Sequence, residues 1–195
     1  MSHREDLLEA AIRCLYEKGY ARTTARDLVA ESGTNLGSIG YHYGSKERLM
    51  NEALMVAFHR WLDPIVEHYL EPGPETLVDR FRDGVADFVD SLERNRPLVV
   101  ACFEALAQVE RSRELRRDLA ASYEDWRRAM GEGIERLAGA EDGDGRAIAS
   151  LVMAISDGFM IQWLLDPASV PDLDQVVADA RRLVPLALGE AGPAG

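Results

Sequence analysis

Apolar residues recur along this chain every three to four positions, the period of an α-helix. Alternating runs of Val, Ile, Thr and Tyr, the mark of strands, are absent from it. Residues 4–18 set Leu8, Ala11, Ile12 and Leu15 on one face. Gly19 follows, a residue able to take the left-handed backbone that ends a helix. Thr24 starts a second, short helix, with Asp27 three positions on as a variant capping box and Leu28 and Val29 as its apolar residues. Ser32-Gly33-Thr34 breaks it, and Asn35 caps a third helix, about 36–42, with Leu36 and Ile39 turned inward. Gly44 ends that helix and Ser45 caps the next. The fourth helix opens at Lys46 and runs at least to Leu62, with Pro64 expected to kink or restart it.

Beyond this the helices lengthen. Glu71-Pro72-Gly73-Pro74 is a break. Helices are expected over about 75–95, 97–110 and 112–138, with apolar stripes such as Leu98, Cys102, Ala105, Leu106 and Val109 on the second of them. Glu104 falls away from that stripe and reads as solvated. Residues 139–145 form a loop, 146–166 a helix apolar on nearly every side, 173–188 a last helix, and 189–195 a loose tail. The pattern predicts an all-α protein: an N-terminal three-helix helix-turn-helix domain over 1–46, then a helical bundle over 47–195 that dimerises.

Residues 24–46 carry the chemistry. Two short helices joined by a turn containing Gly33, with a preceding helix to cover their apolar faces, make a helix-turn-helix, whose second helix fits the major groove. Its outer side carries Asn35, Gly37, Ser38, Gly40, Tyr41 and His42, small or hydrogen-bonding groups. Lys46 and the free N–H groups at the start of the fourth helix can face one phosphate together. A lysine there opposes the helix dipole, which favours the phosphate reading over a merely solvated one. Thr24 reads as both an N-cap and a phosphate contact, Tyr43 as core.

Charge changes this picture in detail. The net charge is −12, which taken alone argues against a polyanionic partner. Residues 1–50, however, hold seven basic and seven acidic side chains, so the rest of the chain carries all of the excess. A neutral head on an acidic body can still turn toward DNA. Two cysteines, Cys14 and Cys102, are too few for a disulfide scaffold. The polar N-terminus is not a signal peptide, and the apolar stretch 151–165, interrupted by Ser156, Asp157 and Gly158, is shorter than the roughly 20 residues that span a bilayer. The expected setting is the cytoplasm, with free thiols and no membrane partner.

The motif Gly19-Tyr20-Ala21-Arg22-Thr23-Thr24-Ala25-Arg26-Asp27-Leu28, then Gly33, then Gly37-Ser38-Ile39-Gly40-Tyr41-His42-Tyr43-Gly44-Ser45-Lys46, resembles the N-terminal domain of the tetracycline-repressor (TetR) family. The similarity is strong over residues 5–60, and the order and length of the later helices are similar too. It implies a homodimeric transcriptional regulator, usually a repressor, that reads a duplex DNA operator and responds to a small-molecule effector. Phosphate contacts carry over to Thr24, Tyr41, His42 and Lys46, and base-edge contacts to Asn35, Leu36, Gly37, Ser38 and Tyr41. Gly40, Leu36 and Tyr43 depart from residues common in the family.

The resemblance places the dimer interface on helix 146–166 and the last helix, where Gly158 permits close approach. Asp157 on that helix reads as paired with an arginine or as serving a cationic ligand. An effector pocket is sought among Trp61, Phe88, Phe103 and Tyr123, together with Trp126, Met130, Met153 and Asp157, and Trp163 belongs to the same apolar set. Core packing is favoured for each of the apolar ones. The acidic body points to a neutral or cationic effector. No cofactor motif and no catalytic motif is present, and four dispersed histidines suggest no metal site. The competing reading is a helical adaptor of the same fold that does not read DNA, distinguished by the absence of salt-sensitive duplex binding.

Overall fold

The computed structural model describes residues 2–71, 73, 76–139 and 144–187. Among them are α1 (His3–Lys18), α2 (Ala25–Ser32), α3 (Leu36–Tyr43), α4 (Lys46–Leu70) and α5 (Leu77–Leu92). They are followed by α6 (Arg96–Leu106), α7 (Arg113–Ala138), α8 (Asp144–Leu165), a 3-10 turn (Pro167–Ser169) and α9 (Leu173–Ala187). No strand occurs among the described residues. The tail from 189 onward and most of the expected loop 139–145 lie outside them.

The chain forms two compact units, residues 1–64 with 92–129, and residues 65–91 with 130–195. In the first, α1 buries Leu7, Ala10, Ala11, Cys14 and Leu15 against Leu28 of α2 and Ile39 and Tyr43 of α3 in one apolar core. Leu49, Met50, Ala53 and Leu54 of α4, Leu98, Val99 and Cys102 of α6, and Leu115 and Leu119 of α7 complete it. Burying each such leucine contributes about 1.5–3 kcal/mol. Polar ties fix distant segments: the Tyr16 hydroxyl donates to Asn95 Oδ1 (3.2 Å) and the Tyr20 hydroxyl to Asn51 Oδ1 (2.6 Å).

One tie corrects a sequence expectation. Glu104 is not merely solvated: its Oε2 accepts the backbone N–H of Ala21 at 2.9 Å. It lies against Gly19, whose φ of +86° only glycine adopts readily, and a Cβ there would sit 3.2 Å from the carboxylate. The end of α6 thereby grips the turn between α1 and α2.

In the second unit, Val85, Phe88 and Ser91 of α5 and Ala149, Phe159, Met160 and Trp163 of α8 are buried. Gly131 and Gly145 let α7 and α8 cross closely, since a Cβ on Gly145 would collide with the Gly131 carbonyl. Tyr69 donates its hydroxyl proton to Asp87 at 2.5 Å, and Arg82–Asp174 (3.5 Å) and Arg181–Asp79 (3.6 Å) tie α5 to α9.

Three further expectations change. The helix of α4 does not restart at Pro64 but continues through it to Leu70. A proline costs one interior hydrogen bond without ending the helix here, and the buried residues of α4, from Leu49 to Trp61, all precede it. Helix α6 ends at Leu106, which is exposed, so Val109 lies beyond the helix and its stripe, and residues 107–111 form turns before Ser112 Oγ accepts the Leu115 N–H to start α7. The apolar part of α8 runs over 21 residues, Gly145–Leu165, long and apolar enough to cross a membrane, and only 22% of its most apolar window is buried. Its uncovered face carries Ile148, Leu151, Ile161 and Leu165, with Gly158 open to solvent.

Candidate nucleic-acid interface

The head is assembled from short-range caps. Thr24 Oγ1 accepts the Asp27 N–H, and Asp27 Oδ2 accepts the Thr24 N–H (2.8 Å) and its hydroxyl proton (2.6 Å). Lys18 completes the set with a 2.5 Å bond to Asp27. The Lys18 ammonium, then the Thr24 donors, hold the Asp27 carboxyl far below the usual carboxylate range. Gly33, at φ +67°, makes the turn. Asn35 Oδ1 accepts the Ser38 N–H (3.1 Å) and opens α3, and Gly44, at φ +80°, closes it.

On α3, Tyr41 is 86% exposed and meets the His42 ring edge-on at 4.8 Å. Asn35, Gly37 and Gly40 are exposed and His42 is half-buried. Two expectations reverse. Leu36, expected inward, is 55% exposed, and Ser38, expected outward, is only 8% exposed. Ser38, Ile39 and Tyr43 form the inner arc of the helix, while Leu36 stands at its first position, where no neighbour covers it. Tyr43 is core, and its hydroxyl donates to the Arg4 carbonyl at 2.6 Å while the Arg4 guanidinium lies over its ring at 5.1 Å. Burial pushes the Tyr43 phenol up to about 12.

Lys46 bridges segments far apart in sequence. Its Nζ donates to the Thr23 carbonyl at 3.2 Å, so the ammonium sits beside the start of α2. Thr24, the first N–H groups of α2 and Lys46 therefore meet at one corner, cationic at Lys46 although Glu47 stands 3.6 Å from its ammonium and Asp27 holds the Thr24 donors. Arg26, exposed on the first turn of α2 and in no ion pair among the described residues, adds to it. Helical periodicity leaves Arg26 unmarked, although its position against the helix dipole is a signal.

A cleft of about 730 Å³ opens beside the far end of α3. It is lined by Tyr41, His42 and Gly44, by Arg48 of α4, and by Glu114 and Arg117 of α7. Arg48 and Glu114 pair across it at 2.7 Å.

The eight residues proposed for an effector divide between the units. Trp61, Phe103, Tyr123 and Trp126 belong to the first. Phe58 and Trp61 rings lie 5.5 Å apart, Phe58 and Trp126 6.4 Å, and Tyr123 and Trp126 6.2 Å. Asp63 accepts the Trp126 indole N–H at 3.0 Å and stands 3.1 Å from His59 Nδ1. Phe88, Met130, Met153 and Asp157 belong to the second unit, Phe88 buried and the other three half-buried.

The family described as "Bacterial regulatory proteins, tetR family" matches residues 7–53. That described as "BetI-type transcriptional repressor, C-terminal" matches residues 77–189. The chain belongs to the TetR family of bacterial regulators. It is 28% identical to the transcriptional regulator TtgR of Pseudomonas putida, over 89% of this chain and 85% of that one. It is 34% identical over 105 residues to the transcriptional repressor KstR2 of Mycobacterium tuberculosis, a match spanning 54% of this chain and 44% of that relative's length. Among solved structures, a transcriptional regulator from Rhodococcus shares the fold with a TM-score of 0.71 at 22% identity, over 91% of this chain and 92% of that one. The multidrug binding protein EbrR complexed with proflavin shares it with a TM-score of 0.67 at 23% identity, over 93% and 99%.

Proposed function

We propose that this protein is a homodimeric transcriptional repressor, not an enzyme, that binds a palindromic operator in the cytoplasm and is released by a small molecule. The observation that carries this reading is the exposed face of α3 beside the cationic corner of Thr24 and Lys46. Residues 1–46 read DNA and residues 47–195 dimerise and hold the effector. Asn35, Leu36, Gly37 and Tyr41 face base edges, with Gly37 and Gly40 admitting the backbone close to the groove. Thr24, His42, Lys46 and Arg26 take phosphates, and Tyr41 shares that task. Ser38, only 8% exposed, is left out of the proposed readers.

A second copy covers the open face of α8. Ile148, Leu151, Ile161 and Leu165 recur at heptad-like spacing around Gly158, a large uncovered apolar surface for one chain in water. The family membership favours this over a bilayer as the cover, and a two-fold dimer presents two heads to two half-sites about 34–36 Å apart or a multiple of it. The effector is neutral or cationic and sits at Trp61, Tyr123 and Trp126, with Asp63 as its polar partner. The name of EbrR, bound to proflavin, supports the capacity of this fold to take such a molecule.

Selection of the purified protein on a randomised duplex pool at moderate salt tests the reading. An enriched palindrome is expected, with affinity falling steeply as salt rises and lost in Lys46→Ala and Tyr41→Ala. A pool with no enriched sequence overturns it and leaves the adaptor reading.

A further inference from the structure

Residues 111–117 hold four arginines, Arg111, Arg113, Arg116 and Arg117, and one carboxylate, Glu114, in a chain of net charge −12. All four are exposed. Arg116 pairs with Glu110 at 2.7 Å, and Arg117 with Asp118 at 3.1 Å and Glu114 at 4.0 Å. Among the described residues Arg111 and Arg113 are in no ion pair. Three of the four stand at the start of α7, where the helix dipole disfavours cations. The starts of α2 (Arg26) and α4 (Lys46, Arg48) in the same unit carry the same unfavourable sign. Local helix stability explains none of these placements.

The cleft beside α3 gathers two of them. Arg117 lines the same cleft as Tyr41 and His42, the exposed end of α3, and Arg48 of α4 reaches across it to Glu114. We propose that the α6–α7 turn and the start of α7 form a second DNA-backbone surface, which takes the phosphates flanking the half-site read by α3. This rests on the DNA-binding reading above and deepens it. A strand leaving Tyr41 along the cleft meets Arg117, on the helix that Arg113 opens. The exposed ion pairs with Glu110, Glu114 and Asp118 are weak in water, and a phosphate is a competing partner of the same charge with better access to guanidinium donors. Even arginines short of contact act on a strand within the Debye length, about 8 Å at physiological salt. The contact carries no sequence information. It adds affinity and salt dependence equally for all flanking sequences.

The test compares two duplexes built on the selected palindrome, one trimmed to it and one extended by a helical turn on each side. For the extended duplex, Arg111→Gln/Arg113→Gln/Arg117→Gln is expected to weaken binding by about tenfold. Its log–log salt slope should shrink by about one for each phosphate that is no longer neutralised. For the trimmed duplex it should match the parent. The lysine version of the triple variant keeps the charge and most of the affinity, and Glu114→Gln binds the extended duplex more tightly than the parent. Equal slopes for triple variant and parent on the extended duplex, or a Glu114→Gln protein no tighter than the parent, overturn the proposal while leaving α3 as the reader. A Lys46→Ala protein, weakened on both duplexes, marks the loss of the primary contact. A parent that binds neither duplex sinks both readings together.

Discussion

Gly19 sits under two constraints at once, a positive φ and a carboxylate 3.2 Å from where its Cβ would be. Gly19→Ala is therefore expected to lower stability by about 1 kcal/mol or more, read as a fall in urea midpoint at unchanged slope. Glu104→Ala removes the acceptor for the Ala21 N–H and should cost about 1 kcal/mol in the same assay. An unchanged midpoint in both would mean that the α6 contact contributes nothing. Neither effect is visible in a helical wheel, because Glu104 and its partner stand 83 residues apart. Tyrosines give a pH prediction. Tyr20 and Tyr43 are pushed up to about 12, mainly by burial, from an ordinary value of about 10. Above that ordinary value the unfolded chain releases these protons first and binds fewer than the native one, so stability falls as pH rises. The thermal midpoint should drop between about pH 10 and 12, and Tyr43→Phe should flatten the drop.

Whole elements were more legible than single contacts. Caps are local: Thr24 with Asp27, Asn35 with the Ser38 N–H, and the glycines at 19, 33 and 44 are all set within four residues of chain, and the structure has each where the sequence placed it. Orientation on α3 was less legible. Leu36 shares a face of the wheel with Tyr43, but the wheel ignores where along its axis a helix meets its neighbours. The uncovered first turn leaves Leu36 in solvent. Thr24→Ala should cost about 1 kcal/mol of head stability through the missing cap. It should also weaken operator binding beyond what a Thr24→Ser control, with its hydroxyl intact, loses. Equal binding by the two proteins would confine Thr24 to capping.

For the molecule as a whole, the sequence supplies the order of helices but not their grouping. Residues 92–129 join residues 1–64 in one compact unit through contacts that span up to about half the chain, and no local pattern announces such pairings. The open apolar face of α8 was legible as an excess of apolar residues, since a helix apolar all round needs cover on more than one side. A Leu151→Glu substitution places a charge at the centre of that face. It should convert the proposed dimer to monomer in sedimentation equilibrium and abolish tight operator binding, while the far-UV spectrum stays helical. A Leu151→Glu protein that stays dimeric would remove α8 from the interface.

One consequence of the head's construction is practical. The 195-residue sequence contains two lysines, and both lie within residues 7–53, the stretch that matches the bacterial regulatory family. Lys18 is committed to Asp27, while Lys46 leans on the Thr23 carbonyl at the cationic corner. Apart from the terminal amine, an amine-reactive label has no other target on the chain. Acylation of Lys46 neutralises a proposed phosphate partner, so a single modified side chain would silence the protein. A bound duplex would shield that same amine. The mass gained by the peptide that carries Lys46, with and without DNA, becomes a footprint at that one residue, with no mutation.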